Sequence, residues 1–190
     1  MICDMKSLLD RAASDLQVMI ATLPGLAGSL ERLGNAMLQC WQHRGKVLTA
    51  GNGGSAADAI HLAEELSVRF AKPRRALAAI SLCDPGMLTC AGNDMGYDSV
   101  FARQVEALGN PGDIFIGFST SGNSSNILKA FAQAQSQKVM TVAFLGKDGG
   151  KAKGTCDIEL IVPSPLTHRV QEGHQILYHT LCEWIDSKVS

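Results

Sequence analysis

Two short segments rich in glycine and serine have the residue types best suited to binding an anion. Residues 51–55 read Gly-Asn-Gly-Gly-Ser (the glycine segment), and residues 119–124 read Ser-Thr-Ser-Gly-Asn-Ser (the serine segment). Each follows a short apolar run and precedes a stretch with helical periodicity. Backbone N–H groups at a helix start favour an anion, glycine lets the backbone approach it, and hydroxyls add neutral donors. The pair indicates a phosphate-bearing small molecule.

A nucleotide is not favoured as that molecule. Neither segment has the Gly-Lys-Ser/Thr ending of a P-loop or the glycine spacing of a dinucleotide fold. Ordinary turn chemistry is the alternative for each segment taken alone, since glycine, asparagine and serine are typical turn residues. The same alternative applies to Asn93 and Asp94, which precede Gly96 and could instead bind sugar hydroxyls.

A helical stretch after the glycine segment has polar side chains suited to acid–base or metal chemistry. His61 and Glu65 are four residues apart and share a helix face, with Asp58 and Arg69 one turn to either side. A histidine and a carboxylate at this spacing can bind one metal ion or act as an acid–base pair. The alternative is a solvated face with an ion pair between Glu65 and Arg69, which would add little stability.

The last helical stretch contains a second polar set. Three of the five histidines lie here, His168, His174 and His179, together with Gln171. Gln171 and His179 are eight residues apart, about 12 Å along a straight helix, which is long for two ligands of one ion. Gln171 would have to reach along the helix, or the two residues face different parts of a cleft. An exposed histidine-rich face or a subunit contact is the alternative.

Composition excludes several classes of function. The 190 residues suit one domain with a sizeable core, and 17 basic against 18 acidic residues give a net charge of −1. No basic field or aromatic platform favours nucleic acid. Charged residues near the N-terminus interrupt any signal-peptide core, and no apolar run reaches the ~20 residues of a membrane span. The six cysteines form no Cys-x-x-Cys pair, which predicts reduced core residues in a cytoplasmic protein.

Hydrophobic periodicity predicts two N-terminal helices followed by alternating strands and helices. This alternation predicts a three-layer α/β fold, with helices on both faces of a mainly parallel five-stranded sheet, in one domain spanning residues 1–190. Residues 1–44 are expected to be a helical extension that packs in an oligomer. Ligands of such sheets bind beyond the carboxyl ends of the strands, where both segments fall. We predict helices over 4–22, 26–43, 54–70, 86–92, 97–108, 124–137 and 167–187, and strands over 46–50, 76–81, 113–118, 139–145 and 158–162.

These motifs together resemble the sugar isomerase (SIS) domain of the phosphoheptose isomerases. The resemblance covers nearly the whole chain in order, and the combination of motifs is highly specific, although the serine segment alone marks only the broader SIS group. It implies a flavodoxin-like fold and an enzyme that converts D-sedoheptulose 7-phosphate to D-glycero-D-manno-heptose 7-phosphate through an enediol, towards the ADP/GDP-heptose precursors of bacterial surface glycans. The matching stretches are 51–55, 58–61, 64–66 with Arg69, 92–94, 119–124, 146–151 and 169–172.

The same resemblance implies residue roles. Glu65 and His179 match the pair that moves protons, and a homotetramer with active sites at subunit interfaces is expected. Zinc ligands, for one ion per subunit, are implied at His61, Glu65, Gln171 and His179. Substrate contacts are implied at Asn52, Gly53, Gly54, Ser55, Glu65, Asn93, Asp94, Gln171 and, for the phosphate, Ser119, Thr120, Ser121 and Ser124.

The chain departs from this family at a few positions. His168 stands where relatives often have aspartate, and Ala56 and Ala57 replace a bulkier, more polar pair found in some members. Three other functions stay open: a non-catalytic SIS protein that binds the replication initiator, another phosphosugar isomerase, and a phosphosugar sensor. Some relatives that bind the initiator have lost the acidic and histidine positions, whereas this chain keeps Glu65 and His179.

Overall fold

A five-stranded sheet in which every strand pair is parallel forms the centre of the protein. A computed structural model describes residues 4–189. The strands lie in the order β2-β1-β3-β4-β5, which is the flavodoxin-like order. The predicted α/β class and strand number are confirmed. The strands are β1 Val47–Gly51, β2 Ala79–Ser81, β3 Ile114–Ser119, β4 Met140–Gly146 and β5 Ile158–Val162.

Seven helices and three short 3₁₀ turns surround the sheet in the described residues. Strands β1 and β3 are buried along their whole length, as expected when helices cover both faces of a parallel sheet. The helices are α1 Met5–Ile20, α2 Ala27–Gln42, α3 Gly54–Ser67, α4 Pro85–Met95, α5 Val100–Leu108, α6 Ser125–Ser136 and α7 Thr167–Asp186, and the 3₁₀ turns are Leu23–Leu26, Tyr97–Ser99 and Gly150–Ala152.

The helices lie in two layers. Helices α2, α3 and α7 pack together, whereas α5 packs against α6. Right-handed crossovers place α3, which leads from β1 to the sheet edge at β2, on the opposite face from α6, which leads from β3 to β4. The connections that follow the neighbouring strands β1 and β3 therefore leave the sheet on opposite faces.

The two N-terminal helices pack on their own chain. Both α1 and α2 contact α7, and α2 also contacts β5. A Cβ atom on Gly34 would lie 2.6 Å from the Trp184 ring, so glycine is required for the close approach of α2 and α7. Helix α1 leaves Met5, Leu9 and Val18 exposed.

Three sequence-based boundaries were wrong, and the first is the helix predicted over 54–70, which ends at Ser67 as α3. Strand β2 has three residues rather than the six predicted over 76–81. The helix predicted over 86–92 extends to Met95, so Asn93 and Asp94 lie on a helix and not in a turn. The Asp84 side chain caps this helix by accepting a hydrogen bond from Met87 N, and Gly96, with φ +82°, ends it.

A buried ion pair joins the C-terminal ends of α3 and α7. Arg74 Nε donates to Asp186 Oδ1 at 2.7 Å, and the same guanidinium donates to the backbone oxygens of Glu65 at 2.7 Å and Leu66 at 3.0 Å. The two side chains are only 1% and 3% exposed. Burial alone would raise the pKa of Asp186, but hydrogen bonds from Arg74 and two backbone N–H groups hold it below its ordinary value.

The cysteines agree with the expectation of reduced residues where the structure describes them. Cys40, Cys83 and Cys182 are buried free thiols, and Cys90 and Cys156 are free as well. Cys3 lies outside the described residues. Between residues 4 and 189, every helix is too short or too polar to cross a bilayer.

A buried histidine in α7 predicts acid sensitivity of the fold. His174 is fully buried, and its Nε2 lies 2.9 Å from the Leu145 oxygen. Burial lowers the pKa of His174 from 6.5 to about 4. The unfolded chain therefore binds more protons than the folded chain in this interval, so stability falls as the pH is lowered through it.

We expect the free energy of unfolding to decrease as the pH is lowered from 6.5 to about 4. Urea unfolding at several pH values measures this. A His174→Gln variant keeps an N–H donor but does not titrate, so its pH dependence should be shallower over that interval. An identical pH dependence in variant and parent would contradict the assignment.

Candidate active site

The glycine and serine segments lie side by side at the carboxyl edge of the sheet. The glycine segment connects β1 to α3, and the serine segment connects β3 to α6. The register pairs Gly51 with Phe118 at the ends of these neighbouring strands. Because α3 and α6 leave on opposite faces, a crevice opens between the two segments, at the position where open α/β sheets bind ligands.

The serine segment is a compact loop at the start of α6. Gly122 N donates to Ser119 Oγ at 3.1 Å, and Ser119 Oγ lies 3.3 Å from Ser124 Oγ. Ser124 is the N-cap of α6 and makes no side-chain capping bond within the described residues. The first N–H groups of α6 and the neighbouring hydroxyls can therefore face an anion.

The loop after β4 supports the serine segment from behind. Gly122 has φ +63°, and a Cβ atom there would lie 1.8 Å from the Gly149 oxygen. Ala152 N donates to the Gly122 oxygen, and Lys151 N donates to Asn123 Oδ1. Glycine is required at 122 both by its backbone angle and by this contact.

A pair of asparagines joins the two segments. Asn52 Nδ2 donates to Asn126 Oδ1 and Asn126 Nδ2 donates to Asn52 Oδ1, both at 2.9 Å. Tyr97 Oη also donates to Asn52 Oδ1 at 2.8 Å. Sequence reasoning missed Asn126 and Tyr97. For Asn126 the signal was present, because it is a polar residue two positions after the serine segment at a helix start.

A histidine–glutamate–histidine cluster lies between α3 and α7. Within residues 4–189, His61, Glu65 and His179 form the group of metal-ligating side chains whose donor atoms all lie within 4.8 Å of one another. His61 Nε2 is 3.0 Å from Glu65 Oε1, and the His61 and His179 rings are 5.0 Å apart. The structure thus brings together three of the four predicted metal ligands, including both predicted proton-transfer residues.

The directions of α3 and α7 explain this meeting. Three contacts follow one another along both helices: Gly54 with Gln171, His61 with Tyr178, and the α3 C-terminus, through Arg74, with Asp186. The helices therefore run side by side in the same direction. His61 and Glu65 meet His179, more than a hundred positions away in sequence, because the three residues lie at the same height along the two parallel helices.

Burial shifts the pKa values of two titratable side chains in and near the cluster, His179 and Asp58. Burial lowers the pKa of His179, and the neighbouring His61 lowers it further, although Glu65 acts in the opposite direction. The lowered pKa favours the neutral imidazole. Asp58, deeper on α3, is buried, and burial raises its pKa from 3.8 to about 6. Glu65 Oε1 contacts His61, which replaces the alternative of an ion pair with Arg69.

Three other predicted site residues have contacts outside this cluster: Gln171, Asn93 and Asp94. A Cβ atom on Gly54 would lie 2.4 Å from Gln171 Nε2, so the Gln171 amide lies over the start of α3. Asn93 and Asp94 are exposed at the end of α4, where Asn93 Nδ2 donates to Asp94 Oδ1. The Tyr97 bond to Asn52 keeps this end of α4 beside the glycine segment.

The donor set of the cluster suits zinc. Two imidazoles and one carboxylate are ligands that zinc accepts in catalytic sites, where a further position stays open for water or substrate. His61 and Glu65 are part-buried, with side chains 37% and 16% exposed, so the centre is reachable from solvent. The cluster is therefore a group of side chains that could hold a metal ion.

Comparison with known proteins identifies the family. The SIS domain family model matches residues 12–146. A Fusobacterium nucleatum phosphoheptose isomerase is 53% identical over 141 residues, covering 74% of this chain and 73% of that protein. Phosphoheptose isomerase 1 of Campylobacter jejuni is 44% identical over 183 residues, covering 96% and 98%.

Solved structures agree with the sequence comparison. A phosphoheptose isomerase from Francisella tularensis superposes with a TM-score of 0.92 at 36% identity, covering 98% of this chain and 100% of that one. The phosphoheptose isomerase from Neisseria gonorrhoeae superposes with a TM-score of 0.84 at 42% identity, covering 95% and 99%. The chain belongs to the SIS domain family and, within it, to the phosphoheptose isomerases.

Proposed function

We propose that this protein is an aldose–ketose isomerase that converts sedoheptulose 7-phosphate to glycero-manno-heptose 7-phosphate, in the biosynthesis of heptose for surface glycans. Its relatives are named phosphoheptose isomerases at 44–53% identity. The observation that supports the chemistry is the meeting of Glu65 and His179 on α3 and α7, in a fold that also has two segments suited to an anion. The initiator-binding alternative is not favoured, because both of these residues are present and together.

In this proposal the serine segment and the start of α6 bind the phosphate. Ser119, Thr120, Ser121 and Ser124 offer hydroxyls and backbone N–H groups to it. Because the phosphate is remote from the reacting carbons, its binding energy positions the substrate. The glycine segment, held through the Asn52–Asn126 pair, lies next to it. It supplies Asn52, Gly53, Gly54 and Ser55 to the sugar, and the end of α4 supplies Asn93 and Asp94.

Glu65 and His179 are proposed to move the protons. Glu65 removes the hydrogen from the carbon next to the carbonyl, giving a cis-enediol, and a proton returns at the neighbouring carbon. His179 exchanges protons with the substrate oxygens, which its lowered pKa suits because the neutral ring can act as a base near neutral pH. The order of the two residues could be reversed, with His179 as the base at carbon and Glu65 as its partner.

Zinc is proposed to be held by His61, Glu65 and His179. The resemblance also implies Gln171 as a ligand, but its amide lies beside Gly54, away from these three side chains, so Gln171 is proposed as a substrate contact. When bound, the ion would act as a Lewis acid on the substrate oxygens and stabilise negative charge there.

A homotetramer is proposed as the assembly. The exposed apolar side chains of α1 support it, since Met5, Leu9 and Ile20, which share one side of this helix, are between 45% and 70% exposed. Large exposed apolar patches are typical of protein contacts.

Incubation of the purified protein with sedoheptulose 7-phosphate in heavy water tests the function. We expect deuterium at the carbon next to the carbonyl together with aldose formation, because the proton that the base holds while the enediol exists exchanges with solvent. Sedoheptulose without the phosphate is the matched control and should react far more slowly. Binding of the phosphosugar without exchange or product would contradict the enzyme and indicate a sensor.

A further inference from the structure

The Tyr178 hydroxyl contacts His61 on the side of the ring that faces away from Glu65. Tyr178 Oη lies 3.0 Å from His61 Nδ1, while His61 Nε2 lies 3.0 Å from Glu65 Oε1. Tyr178 itself is fully buried in α7, next to His179. Both ring nitrogens of His61 therefore have a defined partner, one from α3 and one from α7.

A hydroxyl is a partner for either tautomer of the ring, because it donates and accepts. With hydrogen on Nε2, the ring donates to Glu65 and Nδ1 accepts from Tyr178. With hydrogen on Nδ1, the ring donates to Tyr178 Oη, and the Nε2 lone pair is left facing Glu65 and His179. A metal ligand requires this second tautomer, which is fixed by the hydrogen bond that the other nitrogen makes.

The surroundings of Tyr178 favour a hydroxyl that can turn its hydrogen away from His61. Asp58 and Gln175 lie on this side, and Asp58 Oδ2 is buried without a hydrogen-bond partner in the described residues. An unpartnered buried carboxylate oxygen is costly unless a donor can turn to it.

We propose that Tyr178 is a positioning residue for His61, whose hydroxyl accepts from Nδ1 and so holds Nε2 ready to bind zinc. This inference rests on the proposed function of the cluster as a zinc centre. Tyr178 touches neither zinc nor substrate in this role, and it acts only through the ring of His61.

Zinc binding to the full-length Tyr178→Phe variant tests the proposal. Phenylalanine keeps the ring in the core but leaves the Nδ1 hydrogen without an acceptor, so the tautomer needed for zinc becomes less favourable. We expect zinc, titrated in competition with a chelator, to bind about 10- to 100-fold more weakly than to the parent. Tyr97→Phe is the matched control, because it removes the chain's other tyrosine hydroxyl, which contacts Asn52. Its zinc affinity should be unchanged.

Nitrogen NMR of the histidine rings gives a second readout that general loss of packing would not reproduce. In the zinc-loaded parent we expect a solvent-protected Nδ1 hydrogen on His61, assigned with a His61→Gln variant, and we expect its protection to be lost in Tyr178→Phe. Equal zinc affinity and equal protection in parent and Tyr178→Phe would overturn the role of Tyr178 while leaving the isomerase untouched. A parent that binds no zinc would overturn this inference together with the proposed metal centre, while exchange in heavy water would still decide the isomerase.

Discussion

Glu65→Gln is expected to lower kcat by about 10²- to 10⁴-fold, the usual contribution of a general base. Glutamine has nearly the same shape, so the fold and the contact with His61 should remain. It cannot take a proton from carbon at neutral pH, which removes the step that forms the enediol. The rate of aldose formation and the solvent exchange of the substrate hydrogen should fall together.

Glu64→Gln is the matched control for this prediction. Glu64 precedes Glu65 on α3 but is exposed to solvent, so its variant should turn over like the parent. Because Glu65 is also a proposed zinc ligand, bound zinc is measured in each variant. His179→Gln should show a loss of similar size, with His43→Gln as an exposed control. Full activity in folded Glu65→Gln or His179→Gln would remove that residue from the mechanism.

Asp186→Ala is expected to lower the free energy of unfolding by about 3–5 kcal/mol, the cost of leaving one member of a buried ion pair without its partner. The change leaves the Arg74 guanidinium buried without its carboxylate, and it removes the acceptor of the Ala71 and Lys72 N–H groups. Urea unfolding of the parent and the variant at neutral pH measures the difference.

Asp10→Ala is the control for the ion-pair argument. Lys6 and Asp10 form a pair of nearly the same length, 2.6 Å, but their side chains are 81% and 65% exposed. An exposed pair contributes about 0–1 kcal/mol, so this variant should unfold close to the parent. Similar decreases in the free energy of unfolding for the two variants would show that burial of the Arg74–Asp186 pair does not determine its contribution to stability.

The alternation of apolar runs and helical periodicity was sufficient to predict the α/β class and nearly every element. The strands at the centre of the sheet were placed to within a residue or so, because burial on both faces leaves an apolar signal, as in β3. Edge strand β2 was overestimated, since its pairing with a single neighbour ends after three residues. The C-terminal end of α4 was missed because Asn93 and Asp94 are typical turn residues, whereas in the structure they continue the helix to Met95.

The candidate site was predicted in its residue types but not in its arrangement. Nothing in the spacing of His61 and Glu65 indicates which residues of α7 lie opposite them. That information comes from the parallel packing of α3 and α7, a long-range feature that local periodicity does not contain. The role of Tyr178 was missed for the same reason, since an aromatic residue in an amphipathic helix is ordinarily a core residue.

The shared layer of α3 and α7 has a stereochemical consequence. Glu65 and His179 both project from this layer, while the serine segment belongs to the connection that leaves on the other face of the sheet. A planar enediolate that lies against this layer would therefore present one face to both groups. Hydrogen would leave and return on that same face, which makes the transfer suprafacial and fixes the configuration of the new stereocentre by the handedness of the fold.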